Sequence, residues 1–542
     1  MLVLEDIDLS QIKDPRAREG MVRLLNLVEE LASENRRLRD EVQRLRDEIN
    51  RLKGEKGKPR FKGKSRKRER RDVSSEAERH EPKKWRKGSK KKSVKVDREE
   101  VLNVDREALP PDAVFKGYED VVIQDVVFRT DNVRFRKAKY YSPSEGKTYL
   151  APLPDGYWGE FGPGVRSLAL VLYFGANISE GKLAELFGSV GLQISSGQVS
   201  NLLIHDQDAF HAEKDAIYEA ALVSSRWQAY DTTGTRVNGA NHHCHIVCND
   251  LHTTYFTRAG NDRLTVIDVL RGCRERQFLL NEEALAFLDA FGLAAKRREQ
   301  LSHLPRDDIL DEEAIGALLE EHLPGLGPIQ RKRILEAAAL AAYHADDDWP
   351  IIQQMVVDGA PQFRTVTAIL ALCWVHAGRH YKRLMPMVAW HRRQVAEFLG
   401  RFWGYYRKLR AYQERPTSGE AARLEAEFDE LFSTVTGYRA LDERIAKTRA
   451  NKEALLVVLT HPEIPLHTNA AELGARARVR KRDVSYGPRT AEGVMAWDTF
   501  ATLAETAKKL GVSFHDYIHD RVSGSYSMPA MADLIAARGA TS

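Results

Sequence analysis

The chain has 542 residues, 43% hydrophobic and 30% charged, with 83 Lys and Arg against 78 Asp and Glu and a formal net charge of +5. That length and balance allow several domains, each with a real core beneath a wet surface. The four cysteines, Cys244, Cys248, Cys273 and Cys373, include no Cys-x-x-Cys pair and frame no disulfide scaffold; the acidic start MLVLEDIDLSQIKD is not a signal peptide, and the apolar stretch from Val165 to Ile178 is too short and interrupted to span a bilayer.

Residues 1–53 read as a leucine zipper. Leu24, Leu31, Leu38, Leu45 and Leu52 recur every seven residues, and Met21, Val28, Asn35, Val42 and Ile49 fill the other seam. Leu at d with mostly β-branched residues at a favours a parallel homodimer, or a higher oligomer, and Asn35 at an a position fixes register. The alternative is a long solvated helix. Residues 54–96 form a basic linker expected to be disordered. From Lys53 to Lys95 there are roughly twenty Lys and Arg against about six acids, a block that favours polyanions through counterion release or serves as a solubilising tether.

Residues 97–160 are expected to form a small β-rich domain, because VVIQDVVFRT and VRFRKAKYYS are extended, β-branched and alternating. Residues 161–221 carry a helix-turn-helix pattern. Leu183, Leu186 and Phe187 share a face, Gly188 and Gly191 mark a turn, and Ser195 with Gln198 has capping-box spacing before a second helix. Val199, Leu202 and Leu203 pack inward there, leaving Gln198 and Asn201 outward as DNA-binding candidates, since both amides can read adenine edges. An ordinary helical hairpin fits the same pattern.

From residue 222 to 525 strands alternate with helices, as in an α/β domain with its site at a sheet edge. RWQAYDTTGTRV is expected to end a strand at Asp231, HHCHIVCN and TTYFTRA to form two more, and PIIQQMVVDG to end at Asp358. Mostly helical insertions are expected at about 262–349 and 386–459, and residues 526–542 as a tail. Glu472 opens a helix bearing Arg476 and Arg480, and Arg476, four residues on, is placed to pair with Glu472 or with a phosphate. His376, Arg379 and His380 share a helix face, to contact DNA, to support a metal site, or to be an ordinary polar face. Alternation along HHCHIVC favours strand packing over a metal site for His242, Cys244 and Cys248. LPGLGPIQRKRIL suggests a helix-hairpin-helix phosphate contact or a plain glycine-capped hairpin. The aromatic and basic stripe RFWGYYRKLRAY reads as helix core before base stacking. Three carboxylates brought together can hold two Mg²⁺ ions at a phosphodiester.

With YDTTGTRV, VVDGAPQF followed by LCWVHAGRHYKRL, and HTNAAELGARARVRKRD followed by WDTFATLAETAKKLG, the chain resembles the DDE transposases of the insertion-sequence-66 family. The resemblance implies a multidomain α/β protein: an N-terminal coiled coil, a small β-rich domain, a helix-turn-helix and a ribonuclease-H-like catalytic domain with helical insertions. It implies Asp231, Asp358 and Glu472 as the catalytic and metal-binding triad, with Mg²⁺ as cofactor and Mn²⁺ tolerated. Arg379, His380, Arg476 and Arg480 join Gln198 and Asn201 as expected DNA contacts; His376 and Asn469 are expected to support the triad from behind. Family members often carry Asn and Arg where this chain has Thr468 and Leu473, and a zinc site where this chain has no cysteine before Cys244, so no zinc is expected. The implied partners are element ends and target DNA, a second copy of the chain and accessory transposition proteins, with no membrane. The implied location is the bacterial cytoplasm at the nucleoid, and the implied function is cleavage of element ends and joining of the 3′-hydroxyl to target DNA. A catalytically silent DNA-binding derivative is the alternative.

Overall fold

The structure, a computed structural model, describes residues 9–52, 95–304 and 308–540. Most of the basic linker therefore lies outside the described residues. Helix α1, Pro15–Leu52, is one continuous rod roughly 57 Å long at 1.5 Å per residue. Asp14 caps it, accepting from the Arg16 and Ala17 backbone N–H groups, and Pro15 takes the first helical position, where a missing N–H costs nothing. The rod has two working faces. Leu25 is buried against Leu9 and Val388, Glu29 accepts from the Met387 and Val388 N–H groups, and Asn26 bonds Gly437 and Arg439. Of the heptad seam, Met21 packs on that docked cluster and Val28 is half-buried, while the seam from Leu31 onward stays exposed, with Leu31 at 52% and Leu45 at 57%.

The expected β-rich domain at 97–160 is reduced to one hairpin, β1 (Lys139–Ser142) with β2 (Lys147–Leu150). VVIQDVVFRT forms no strand; Val121, Ile123, Val127 and Phe128 are all exposed. Alternation supplies a face to bury, but nothing among the described residues lies against this face, and a strand without a partner leaves its backbone groups to water.

Four helices follow: α2 (Pro163–Leu170), α3 (Glu180–Ser189), α4 (Ser196–Ile204) and α5 (Asp208–Ser224). Leu183, Phe187, Val199 and Leu203 are buried as their spacing demands, and the Ser195–Gln198 capping box is formed on both sides. These helices do not make a separate domain. Their core is continuous with Trp497, Phe500, Leu503, Tyr517, Met531 and Ile535 from the far end of the chain. The expected tail at 526–542 is in part a packed helix, because Met531 and Ile535 are fully buried in that core.

The central sheet has the order β5-β4-β3-β8-β9. β3 (Trp227–Val237), β4 (Ala240–Cys248) and β5 (Thr253–Arg258) run antiparallel, and β8 (Gln354–Val357) and β9 (Ile369–Leu372) add in parallel. Between β5 and β8 lies the first insertion: α6 (Arg263–Leu270), α7 (Glu282–Ala290), α8 (Ala295–Ser302), α9 (Glu312–His322) and α10 (Pro328–His344), with a two-stranded pair β6 (Phe278–Leu279) and β7 (Ile309–Leu310). It packs on one face of the sheet through Tyr230, Val247, Met355 and Val357. Beyond β9, α11 (Trp374–Lys382) leads into the second insertion, α12 (Ala389–Glu414), α13 (Ser418–Leu431), α14 (Arg439–Arg449) and α15 (Lys452–Leu455). Trp403, Tyr405, Tyr406 and Tyr412 are its buried core. In the first insertion, Arg331 pairs with Glu320 and Lys332 with Asp262, and Arg333 donates to Gly292 O, so two of the three basic side chains after LPGLG already face a carboxylate.

The chain returns to the other sheet face with α16 (Asn469–Ser485) and ends with α17 (Ala491–Leu510), α18 (Phe514–Val522) and α19 (Met531–Gly539). Helix α17 seals the sheet edge. Asp498, Thr502 and Thr506 accept from the N–H groups of Thr257, Tyr255 and Thr253 at 2.6, 3.1 and 3.3 Å. Four helical residues rise about 6 Å and two strand residues about 6.6 Å, so side chains every fourth residue meet outward N–H groups every second residue. An open edge that could template pairing with another chain is thereby closed.

Candidate active site

The pairing of β3 with β8 brings the two Asp residues near each other. In the parallel β3–β8 pair Ala229 faces Val356. Asp231 and Asp358 each stand two residues beyond that last paired position, near enough for the Asp358 charge to act on Asp231. The pair itself is covered by α16, whose Ala471 and Ala475 share a core with Ala229 and Val356. Asp358 follows the last residue of β8, is exposed, and accepts from the Ala360 N–H at 3.0 Å. Asp231 does not end its strand, contrary to expectation. β3 runs on to Val237 because β4 pairs with it along its length, with Asp231 opposite Ile246.

Glu472 stands in the first turn of α16 and is 8% exposed. Its position is fixed by two ties from the preceding loop to the start of α11: the Trp374 N–H donates to Leu466 O at 2.9 Å, and the Thr468 N–H to Cys373 Sγ at 3.4 Å. Close passage of α16 over the sheet depends on Gly474, where a Cβ would lie 3.1 Å from Ile246 and Thr253 side-chain carbons. Tyr255 Oη donates to Gly474 O.

Arg379 Nη2 lies 2.7 Å from Glu472 Oε2, and His376 Nε2 lies 3.7 Å from Glu472 Oε1. Arg379 Nη1 donates to His376 Nε2 at 3.1 Å. Arg379, expected at DNA, is thus turned to the acid, and it rather than Arg476 pairs with Glu472. Arg476 and Arg480 are exposed on α16. Asn469 is the first residue of α16, with its N–H 3.4 Å from His467 Nδ1. Gln198 is already committed: its Oε1 accepts from the Ser195 N–H and its Nε2 donates to Glu160. Asn201 remains exposed on α4. Sequence reasoning missed Arg478, which is buried between Thr257 and Asp498; its signal was the WDTF motif itself, which supplies Asp498.

Burial pushes the Asp231 carboxyl up to about 6; the Thr232 N–H and His376 oppose this, and the charges of Asp358 and Glu472 add to it. Burial likewise works against the charged form of His376, yet Cys373 and Glu472 raise it above its ordinary value. Burial, then the charges of Arg444, Arg383 and His376, pushes His380 down to about 4. Three carboxylates are hard oxygen donors of the kind Mg²⁺ takes, and a carboxyl raised by burial and two like charges lacks the positive charge that such an ion brings. By donor chemistry the residues fit a divalent cation. In the arrangement described, with Glu472 held by Arg379, no three His, Cys, Asp or Glu side chains among the described residues are grouped closely enough to chelate one.

No helix among the described residues is long and apolar enough to cross a membrane. No solved structure matches the chain. The uncharacterized protein y4jO of Sinorhizobium fredii is 34% identical over 340 residues, covering 59% of this chain and 99% of that protein. A family model described as "Transposase IS66 family" matches residues 344–496, a span that runs from the end of α10 through Asp358, the second insertion and Glu472 into α17. With the relative covered almost end to end and the family's own pattern holding two of the three acids, the chain belongs to the IS66 transposase family.

Proposed function

We propose that the chain is a DNA transposase that cleaves the ends of its element and joins the freed 3′-hydroxyl to target DNA, with Asp231, Asp358 and Glu472 as its catalytic acids on a ribonuclease-H-like sheet. What supports this reading is that Asp231 on β3 lies near enough to Asp358, after β8, and Glu472, on α16, for both charges to raise it, although the three are not grouped at chelating distance in the arrangement described. Divalent cations, when bound, supply the charge neutralisation at the phosphodiester that protein groups alone do not. The protein side of the reaction is positional. Asp231 offers its oxygens from β3 and Asp358 from the turn after β8, Arg379 and His376 hold Glu472 from behind, and exposed Arg476 and Arg480 line the outer face of α16 for the DNA backbone. The exposed heptad seam of α1 supports assembly through a second copy.

The Arg379–Glu472 ion pair favours a second reading, a silent DNA-binding derivative, because an acid held by arginine is partly spent. One experiment separates the two. Labelled element ends are incubated with the full chain in Mg²⁺ or Mn²⁺, alongside Asp231→Asn, Asp358→Asn and Glu472→Gln. Cleavage by the parent chain and its loss in all three variants, with end binding retained, supports the transposase. Binding without cleavage by the parent chain in either metal selects the silent derivative.

A further inference from the structure

The second insertion brings α14 against the side of the sheet that carries Asp358. A cleft of about 270 Å³ opens where the end of β8, strand β9, α11 and α14 meet. Asp358, Arg364, His380, Arg444, Lys447 and Asn451 line it. On α14 and its C-terminal turn, Arg444, Lys447, Thr448 and Asn451 follow the spacing i, i+3, i+4 and i+7, which is one stripe of a helix. That stripe is held in place: Tyr381 Oη on α11 lies 2.6 Å from Thr448 Oγ1, and Tyr381 and Thr448 are both buried.

The charge of the cleft is uneven. Against the single carboxylate of Asp358 stand Arg364, Arg444 and Lys447, with Arg383 close behind. None of these four cations has a carboxylate partner among the described residues, whereas neighbouring Arg379 is paired with Glu472. A solvated helix face tolerates unpaired cations, but Arg444 is half-buried, and burial together with the Arg383 charge pulls its guanidinium below the ordinary value. Like charges gathered in a partly desolvated cleft are costly unless an anion joins them. The volume falls just under the roughly 300–1,000 Å³ of sites for whole small ligands, and suits a phosphate with its sugar.

We propose that this cleft is a phosphate subsite, in which Arg444 and Lys447 of the second insertion hold one backbone phosphate of the DNA strand whose neighbouring phosphodiester lies at Asp358. The insertion then forms one wall of the active site and sets which bond along the strand reaches the acids. This inference rests on the transposase reading.

The test uses the full chain and a duplex bearing the terminal sequence of the DNA element that encodes it, with phosphates replaced one at a time by neutral methylphosphonate. One or two adjacent phosphates beside the cut bond should slow cleavage about tenfold when neutralised, as expected for one lost charge-assisted contact. In the Arg444→Gln, Lys447→Gln double variant, unmodified DNA should be cut about as slowly, with no further loss at those phosphates. Fully additive losses, or no position that responds, overturn the subsite. A second readout does not need cleavage. Lys447→Cys is exposed to duplexes carrying a thiol tether on single phosphates, with Glu443→Cys on the outward side of α14 and the unsubstituted chain as controls. Disulfide trapping by Lys447→Cys at the same one or two phosphates supports the subsite, and equal trapping by Glu443→Cys, or none, overturns it. Discrete trapping by a chain that never cuts retains the subsite and overturns the cleavage reading; cutting with additive losses does the reverse.

Discussion

Arg379 Nη2 and Glu472 Oε2 sit 2.7 Å apart across the gap between α11 and α16, and both side chains are largely buried. A carboxylate left in such a place without its cation is expensive. Arg379→Ala should therefore cost about 3 kcal/mol in metal-free protein. Added Mg²⁺ should restore part of that loss, since a divalent cation near Glu472 replaces the missing charge. Thermal melts with and without Mg²⁺ check this. A variant as stable as the parent, with no metal response, would show that the pair contributes nothing.

Asp231 gives a pH dependence of unusual sign for an acid. Its folded value, raised to about 6 by burial and reinforced by Asp358 and Glu472, lies above the unfolded value of roughly 3.9. The folded state thus holds the proton more tightly, and protonation adds stability that is complete below the unfolded value and lost as pH rises through 6. Metal-free Asp231→Asn should gain on the parent by on the order of 1–3 kcal/mol between pH 4 and pH 7. If Asp231 holds a divalent cation, cleavage should fall as pH drops, at a pH that moves lower as Mg²⁺ is raised, because the proton competes with the metal. Parallel denaturant titrations across that range test the first claim, and a gain that is flat with pH would refute it.

Helix α17 makes a separate prediction about the sheet. Thr502→Val leaves the Tyr255 N–H without its acceptor and should cost about 1–3 kcal/mol. Asp498→Ala also strands buried Arg478 and should cost about 3–5 kcal/mol. Hydrogen exchange should speed up at Thr253, Tyr255 and Thr257 before it does at the central strand β3. Uniform acceleration across the sheet would mean that α17 supports the core rather than the edge.

These three sites differ in how far they could be read in advance. Asp231 and Asp358 were visible because each lies in an apolar β run. Glu472 was visible as the acid of a helix start, but its partner was not: pairing with Arg379 depends on a loop tied through Leu466 and Thr468 to α11, a contact over 93 residues that no local spacing encodes. The edge seal of Asp498, Thr502 and Thr506 has a plain i, i+4, i+8 period, yet it acquires meaning with a strand of matching pitch beside it. At 121–130 the opposite happened. Local alternation was strong, and no partner strand stands beside it among the described residues, so propensity alone made no strand.

Gln198 and Asn201 were paired by the sequence as readers of DNA, and the capping box divides them. Gln198→Ala removes a bond to the Ser195 N–H and one to Glu160, so it should cost about 1 kcal/mol of stability. Asn201→Ala should leave stability unchanged and lower the preference for element ends by about 1–3 kcal/mol. Melting curves and competition between end and scrambled duplexes separate the two. Loss of end preference in Gln198→Ala at full stability would restore it as a reader.

The last prediction separates the two faces of α1. The seam residues Leu38 and Leu45 are about half exposed, while Leu25 and Glu29 are docked on the second insertion. Leu38→Glu with Leu45→Glu should dissociate the assembly to a monomer, because a charge at d faces its own copy across the seam. The body of the chain should keep its melting temperature, since neither residue touches it. Glu29→Gln should do the reverse. Burial works against the Glu29 charge, but His391 and the Met387 and Val388 N–H groups hold it below its ordinary value, so the charged form stabilises the dock, and that contribution is lost as pH falls through the depressed value. The variant should loosen residues 15–30 from the insertion in hydrogen exchange at neutral pH and leave the oligomer intact in sedimentation. A monomeric parent chain at tens of micromolar would refute the seam, and a Glu29→Gln chain that sediments as a monomer would show that the docked face, not the heptads, holds the copies together.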